Sequence, residues 1–315
     1  MRIAILDDIH DAWATTDGVA RLRQRAEVTI FTRPFGSPAE LRGYDALIAN
    51  RERTRFTREL LAQLAGHVRL IVQTGNHAAN VDFKAAKELG IVFGQASGGY
   101  SIGAAELTIG LAIAVMRGLL DVDAAVRRGE WPTPMTPILH GKTLGLVGFG
   151  RVGQHVGRLG LAFGMRVLAW SPRLTPEAAA AAGAERRELD DLLRASDVVS
   201  LHVSLTPTSR GLIDGRRLAL MKKSAYLINT ARGPIVDEAA LVDALAQRGI
   251  AGAGFDVFDE EPLPAGHPLT KLGNVVLASH IGWTTDDGYR RFANAACDVV
   301  FAYLDGREVP RFKGH

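Results

Sequence analysis

The stretch TLGLVGFGRVGQHVGRLG, residues 143–160, decides the fold of this chain of 315 residues. Thr143 to Gly148 is a short apolar run of strand length, and Val152, Val156 and Leu159 then fall on one face of a helix. Between them stands Gly148-Phe149-Gly150-Arg151-Val152-Gly153. Such a glycine triplet is informative only where a strand ends and a helix opens, and both conditions hold here. Gly148 allows the tight turn, Gly150 lets the backbone approach a pyrophosphate, and Gly153 lets helix and strand pack closely. The first turn of the helix offers N–H groups and a partial positive charge to the anion.

Outward from the motif, short apolar runs alternate with amphipathic ones. Upstream strand candidates are 2–7, 27–31, 45–49, 69–74 and 90–94, with helices over 57–65 and 82–90. The sequence then predicts one long helix from Ser101 to Arg128 and a proline-broken linker, WPTPMTPILHG, over 131–141. Downstream candidates are 143–148, 166–170, 197–203, 225–229, 251–258 and 274–279, followed by a helix over 286–305. Strands alternating with helices imply parallel sheets covered on both faces. A complete α/β unit therefore precedes the glycine motif. The expected architecture is α/β, with two Rossmann-like or flavodoxin-like units. A dinucleotide-binding unit, 99–284, is inserted into a substrate unit made of 1–98 and 285–315, with a cleft expected between them.

Composition narrows the partners. Hydrophobic residues are 47% and charged residues 23%, a globular balance, and the net charge is only +3. That charge is too weak and dispersed to imply nucleic acid or an anionic membrane. The densest basic stretch, RERTRFTRE at 51–59, reads mostly as solvated arginines. Cys297 is the one cysteine, which excludes an intrachain disulfide, fits a reducing compartment and suggests a small buried side chain. The first residues run straight into a strand, and the apolar run 107–116 is shorter than the ~20 residues of a membrane span. A cytoplasmic protein is expected, and no metal-ligand cluster is evident.

Three further stretches follow strands. LINTARGPIVDE brings Arg232, GAGFDVFDEEPLP brings Asp256, Glu260 and Glu261, and SHIGW brings His280. In an open parallel sheet the carboxyl ends of the strands line the ligand crevice. One arginine, one carboxylate and one histidine can thus converge beside a bound dinucleotide. Reduction of a 2-oxo acid needs such a trio. Histidine can protonate the carbonyl oxygen, a carboxylate on its far nitrogen fixes the tautomer, and arginine grips oxygens with its fork of donors. Alone, His280 would read as a core histidine; beside Arg232 and a carboxylate it reads as the acid/base. His202, in SLHVSL, reads as a structural strand residue, and His10, His67, His140, His155 and His267 have no constellation around them.

VGFGRVG, NTARGPIVDEAAL, GAGFDVFDEEP and SHIGW, in that order, resemble the D-isomer-specific 2-hydroxyacid dehydrogenases over nearly the whole chain. The resemblance implies Arg232 as the substrate-binding arginine, Glu261 rather than Glu260 as the partner of the histidine, His280 as proton donor and Asp256 at the nicotinamide carboxamide. It implies a cofactor site formed by Gly148, Phe149, Gly150, Arg151, Val152 and Gly153, by Ser171 and Arg173, by His202, Val203 and Thr206, and by Thr230, Ala231, Asp256 and Gly282. In the N-terminal unit it implies a glycine loop, Gly75, Asn76 and His77, for the substrate carboxylate, with Arg51 facing the substrate.

The expected activity is hydride transfer between NAD(P)H and a small 2-oxo or D-2-hydroxy acid, glyoxylate or hydroxypyruvate first. The family's usual proline before the histidine is Ser279 here, its strand-end proline is Ser204, and a cofactor-touching Ser/Thr is Ala104. After the second strand of the inserted unit, Ser171 takes the place of the usual acid and Arg173 follows, which favours NADP(H) over NAD(H). The apolar helix beginning at Ser101 implies a homodimer. A dinucleotide-sensing corepressor shares the architecture and is the alternative, with the lack of flanking tails counting against it. A formate-type relative would carry glutamine at position 261. Because the chain stops at His315, feedback through a C-terminal regulatory domain is not expected.

Overall fold

The computed structural model describes residues 1–75, 78–98 and 101–312. The chain divides into two compact units, Met1–Tyr100 with Thr284–His315, and Ser101–Trp283.

The first unit begins β1 (Arg2–Leu6), α1 (Asp17–Arg23), β2 (Glu27–Ile30), β3 (Ala46–Ala49), α2 (Arg58–Leu64), β4 (Leu70–Thr74), α3 (Phe83–Glu88) and β5 (Val92–Ala96). Its sheet has the order β2-β1-β3-β4-β5 and every pair is parallel. β3 and β4 are buried at every position, as strands covered on both faces are; β3 is apolar throughout, whereas β4 ends on the buried polar Gln73 and Thr74. The strand order reverses between β1 and β3, which opens a crevice at their carboxyl ends.

The second unit runs α4 (Ser101–Arg117), α5 (Leu119–Arg127), β6 (Thr143–Val147), α6 (Arg151–Ala162), β7 (Arg166–Trp170), α7 (Pro176–Ala181), β8 (Glu185–Arg186), α8 (Leu189–Ala195), β9 (Val198–Leu201), α9 (Gly215–Leu218), β10 (Tyr226–Asn229), α10 (Glu238–Ala246), β11 (Gly252–Phe255) and β12 (Val275–Leu277). All seven strands are parallel, in the order β12-β11-β10-β9-β6-β7-β8. The chain then returns to the first unit in α11 (Asp286–Leu304). There the buried Ala293, Ala296, Cys297 and Val300 face inward, and Asn294 Oδ1 accepts the Gly18 amide of α1 at 2.7 Å. Burial pushes the Cys297 thiol up to about 12, so it stays a thiol and packs as an apolar side chain.

Four details differ from the sequence reading. The helix expected from 101 to 128 is two, because Gly118 adopts a left-handed conformation (φ 56°) between α4 and α5. Two-residue β8 was not anticipated, being too short to show a periodicity. β9 ends at Leu201, so His202 follows the strand instead of lying within it. Arg53 is not solvated: it donates to Asp7 O at 2.8 Å and to Tyr289 Oη at 3.5 Å. Among the described residues, no helix is long and apolar enough to cross a membrane.

Candidate active site

The glycine loop is built as its spacing requires. Gly148 has φ 103°, and a Cβ there would lie 2.5 Å from His202 C and 2.6 Å from Val203 N. A Cβ on Gly153 would run into Gly148 O. A Cβ on Gly150 would meet nothing, and no side chain caps the first turn of α6. Two glycines thus let the backbone close up, while the third leaves room beside uncapped N–H groups. This cradle fits a dinucleotide pyrophosphate. Phe149 N donates to Ser171 Oγ at 2.6 Å, so Ser171 is tied to the loop through its oxygen while its own O–H stays available. Arg151 and Arg173 are both exposed.

His202 and Val203 press their backbone against Gly148. The His202 ring lies 2.9 Å, at Nε2, from Ser200 Oγ, and burial drives its pKa down to about 3, so it is neutral at ordinary pH. Thr206 turns the same loop with Ser209, whose Oγ accepts the Thr206 amide at 2.8 Å.

The ends of β10, β11 and β12 carry the reacting side chains. After β10, buried Asn229 accepts the Ala231 amide and donates to Arg232 O, both at 3.0 Å, which curls the loop that presents Arg232. Thr230 Oγ1 lies 2.8 Å from Thr108 Oγ1 of α4. After β11, the Asp256 carboxylate accepts the Ile281 amide at 2.7 Å and the Gly282 amide at 2.9 Å. This clamp holds the turn in which His280 takes a left-handed φ of 58°. Burial raises the Asp256 pKa, outweighing those two amides and the His280 charge.

Glu261 reaches the same place from the loop after β11. Its Oε2 lies 2.6 Å from His280 Nδ1, and its Oε1 accepts the Phe258 amide at 3.0 Å. Both side chains remain about one-third exposed, at 30% for His280 and 34% for Glu261. Burial by itself would raise the Glu261 pKa. The His280 hydrogen bond, the Phe258 amide and the charges of His280 and Arg232 outweigh it and hold the carboxyl below its usual value.

In the first unit, Arg51 has φ 65°, and its amide donates to Thr74 Oγ1 at 2.9 Å. Its side chain is only 15% exposed, with the guanidinium carbon 5.7 Å from the Phe292 ring centroid. A Cβ on Gly75 (φ 101°) would lie 2.6 Å from Arg51 Nη1, so arginine and glycine loop are packed together. Asn76 and His77 lie outside the described residues.

Sequence reasoning missed three parts of the site. Asn229 stood in plain sight as a polar residue closing an apolar strand. Thr108 was signalled only by a hydroxyl in an otherwise apolar helix. His267 does have a constellation: its Nε2 lies 3.0 Å from Glu238 Oε1. Among the described residues, no cluster of three or more His, Cys, Asp or Glu could hold a metal ion.

A dinucleotide cradle and a histidine–carboxylate pair on one parallel sheet place the protein among the nicotinamide-dependent oxidoreductases. The family model for the D-isomer specific 2-hydroxyacid dehydrogenase NAD-binding domain matches residues 109–282. The chain belongs to this family and is an enzyme of it. It is 42% identical over 265 residues to glyoxylate reductase of Aeropyrum pernix, covering 81% of this chain and 79% of that one. It is 37% identical over 308 residues to glyoxylate reductase of Thermococcus litoralis, covering 93% and 92%. The crystal structure of phosphoglycerate oxidoreductase from Vibrio cholerae is similar at a TM-score of 0.84 and 30% identity, covering 97% of this chain and 99% of that one.

Proposed function

We propose that this enzyme reduces a small 2-oxo acid to the D-2-hydroxy acid, with glyoxylate or hydroxypyruvate as substrate, and that His280 is its general acid/base. The His280–Glu261 pair at 2.6 Å, standing at the strand ends beside Arg232, carries the reading. The names of the two glyoxylate reductases support the substrate class.

A reduced nicotinamide dinucleotide held in the glycine cradle would supply the hydride. The chain's own residues handle the proton and the charge. Glu261 occupies Nδ1 of His280, which leaves Nε2 to protonate the carbonyl oxygen as charge builds on it. Glu261 is ionised at neutral pH, because its pKa is lowered, and it stabilises the imidazolium before the proton leaves. Arg232 holds the substrate oxygens through its guanidinium. Gly75, with Asn76 and His77, takes the substrate carboxylate, and Arg51 its far end. In this reading the unit Ser101–Trp283 is the dinucleotide domain, Asp256 acts at the carboxamide end, and the remaining unit binds substrate. Of a panel of 2-oxo acids, glyoxylate and hydroxypyruvate are expected to give the highest kcat/KM. A clear preference for a bulky branched acid would contradict the assignment.

NADP(H) is the favoured cofactor. Ser171 replaces a carboxylate that would repel a 2′-phosphate, and its unused O–H can donate to one. Arg173 stands exposed two residues on. Arg173→Ala is expected to raise KM for NADPH by about tenfold, the size of one charge-assisted hydrogen bond, with little effect on NADH. A wild-type preference for NADH of about tenfold or more would show that the pair does not read the phosphate.

A homodimer is the proposed assembly, although α4 is not the reason: it packs against β10, β11 and α6 of its own unit. Support comes from the exposed Leu119, Leu120, Trp131, Met135 and Ile138, on α5 and the segment after it. Light scattering at micromolar concentration should give twice 33.8 kDa, and a monomer mass would overturn the proposal. A cytoplasmic location is proposed from the single buried cysteine.

A further inference from the structure

We propose that the Glu238–His267 hydrogen bond is a positioning device that holds Glu261 against His280; the proposal rests on the acid/base reading of that pair.

Glu261 lies on an irregular strap between β11 and the short 3-10 turn Pro268–Lys271. The strap is fastened at both ends to one other segment, the one that opens with Arg232 and leads into α10. At the near end Gly233 is pressed on Phe258 and Asp259 so closely that a Cβ would overlap Phe258 C, Phe258 O and Asp259 N. At the far end His267 Nε2 meets Glu238 Oε1 at 3.0 Å, with side chains only 14% and 29% exposed. Between the two fastenings Asp259 and Glu260 are exposed, Glu261 is one-third exposed and bonded to the Phe258 amide, and Leu263 is the one apolar side chain packed on the core. With a single partly buried leucine between the fastenings, the hold at each end limits how far the strap carrying Glu261 can shift.

The tautomer of His267 follows from its second contact. Leu269 N donates to His267 Nδ1 at 3.3 Å, so Nδ1 is an acceptor and the proton sits on Nε2, aimed at Glu238. Asp259 of the strap lies within electrostatic reach of both Glu238 and His267, and of Arg210 and Asp237. His267 therefore does two separable things: it caps the 3-10 turn through Nδ1 and pins the strap through Nε2. Because Arg232 and Glu261 hang on the two pinned segments, the same bond fixes the spacing between the substrate-holding arginine and the partner of the proton donor. Misplacement by ~1 Å in such an arrangement can cost about 10²-fold in rate.

The two roles separate by substitution. His267→Asn keeps an acceptor where Nδ1 was and cannot reach Glu238. His267→Gln keeps a donor where Nε2 was and loses the cap. The measurements are kcat and KM, the pH–rate profile of reduction, the melting temperature, and dinucleotide affinity by tryptophan fluorescence. His267→Asn and Glu238→Ala should lower kcat by about tenfold or more, leave dinucleotide affinity unchanged, and move the alkaline limb of the profile to lower pH, the direction expected of Glu261→Gln, which removes the charge beside His280. His267→Gln should melt earlier yet keep kcat within about twofold and the wild-type profile. Wild-type kcat and profile in both His267→Asn and Glu238→Ala would overturn the proposal, as would equal losses in the Asn and Gln variants. If His280→Ala keeps its turnover, the acid/base reading itself fails. If His280→Ala is dead and His267→Asn is normal, only the positioning role fails.

Discussion

Replacing His280 by alanine is expected to lower kcat for 2-oxo acid reduction by roughly 10²–10⁴-fold, the usual contribution of a general acid. Dinucleotide binding should be unaffected, because the glycine loop is tied to Ser171 while the imidazole is tied to Glu261. The fold should tolerate the change, since the turn is held through the amides of Ile281 and Gly282 on Asp256 and not through the His280 ring. Glu261→Gln should act on the same step more gently. It keeps a hydrogen-bond acceptor for Nδ1 but removes the charge that stabilises the imidazolium, so the alkaline limb of the pH–rate profile should move to lower pH. An unmoved profile would count against the pairing. Turnover of His280→Ala near the wild-type value would place the proton donor elsewhere.

Gly233→Ala is expected to have an effect of comparable size by a different route. The methyl group would occupy space already filled by the backbone of Phe258 and Asp259, which has no flexible side-chain end that could yield. The segment bearing Arg232 and the strap bearing Glu261 would have to separate, at a cost of about 1–3 kcal/mol or more. Thermal melting should show the loss, and kinetics below the melting temperature should show kcat falling with it. Gly110→Ala on α4 is the control. A Cβ there meets nothing, so replacing a mid-helix glycine should stabilise the protein by about 0.5–1 kcal/mol. A Gly233→Ala variant as stable and active as that control would show that the two segments are free to move apart.

How much of this could be read from the chain depended on how local the signal was. β3 declared itself because a strand buried on both faces is an unbroken apolar run, and β4 did so through its apolar start, Leu70-Ile71-Val72. The glycine motif did so because turn, strand and helix lie within one stretch. Gly118 was not seen as a break, since nothing beside it lacks helix propensity and only its left-handed conformation interrupts the helix. The trio of arginine, carboxylate and histidine was legible as residue types after strands, while the choice of Glu261 over Glu260 and Asp256 was legible only through the family resemblance. In the structure that choice turns on which carboxylate reaches 19 residues onward to His280 and which folds onto the amides of Ile281 and Gly282. Arg53 looked like part of a solvated basic stretch because its partners, Asp7 and Tyr289, are 46 and 236 residues away. Glu238 and His267 are 29 apart, with no periodicity linking them. Pairings of this kind are made by tertiary structure alone, and they concentrate where strand ends converge on the site.

The central claim is that this chain reduces 2-oxo acids at a site whose proton comes from His280. The most direct measurement is to incubate it with NADPH or NADH and glyoxylate, hydroxypyruvate or pyruvate, following dinucleotide oxidation together with the amount and configuration of the hydroxy acid formed. The expected result is one hydroxy acid per dinucleotide consumed, of D configuration wherever the product is chiral. Tight dinucleotide binding with no oxidation by any 2-oxo acid would contradict the account and favour a dinucleotide-sensing role for the same fold.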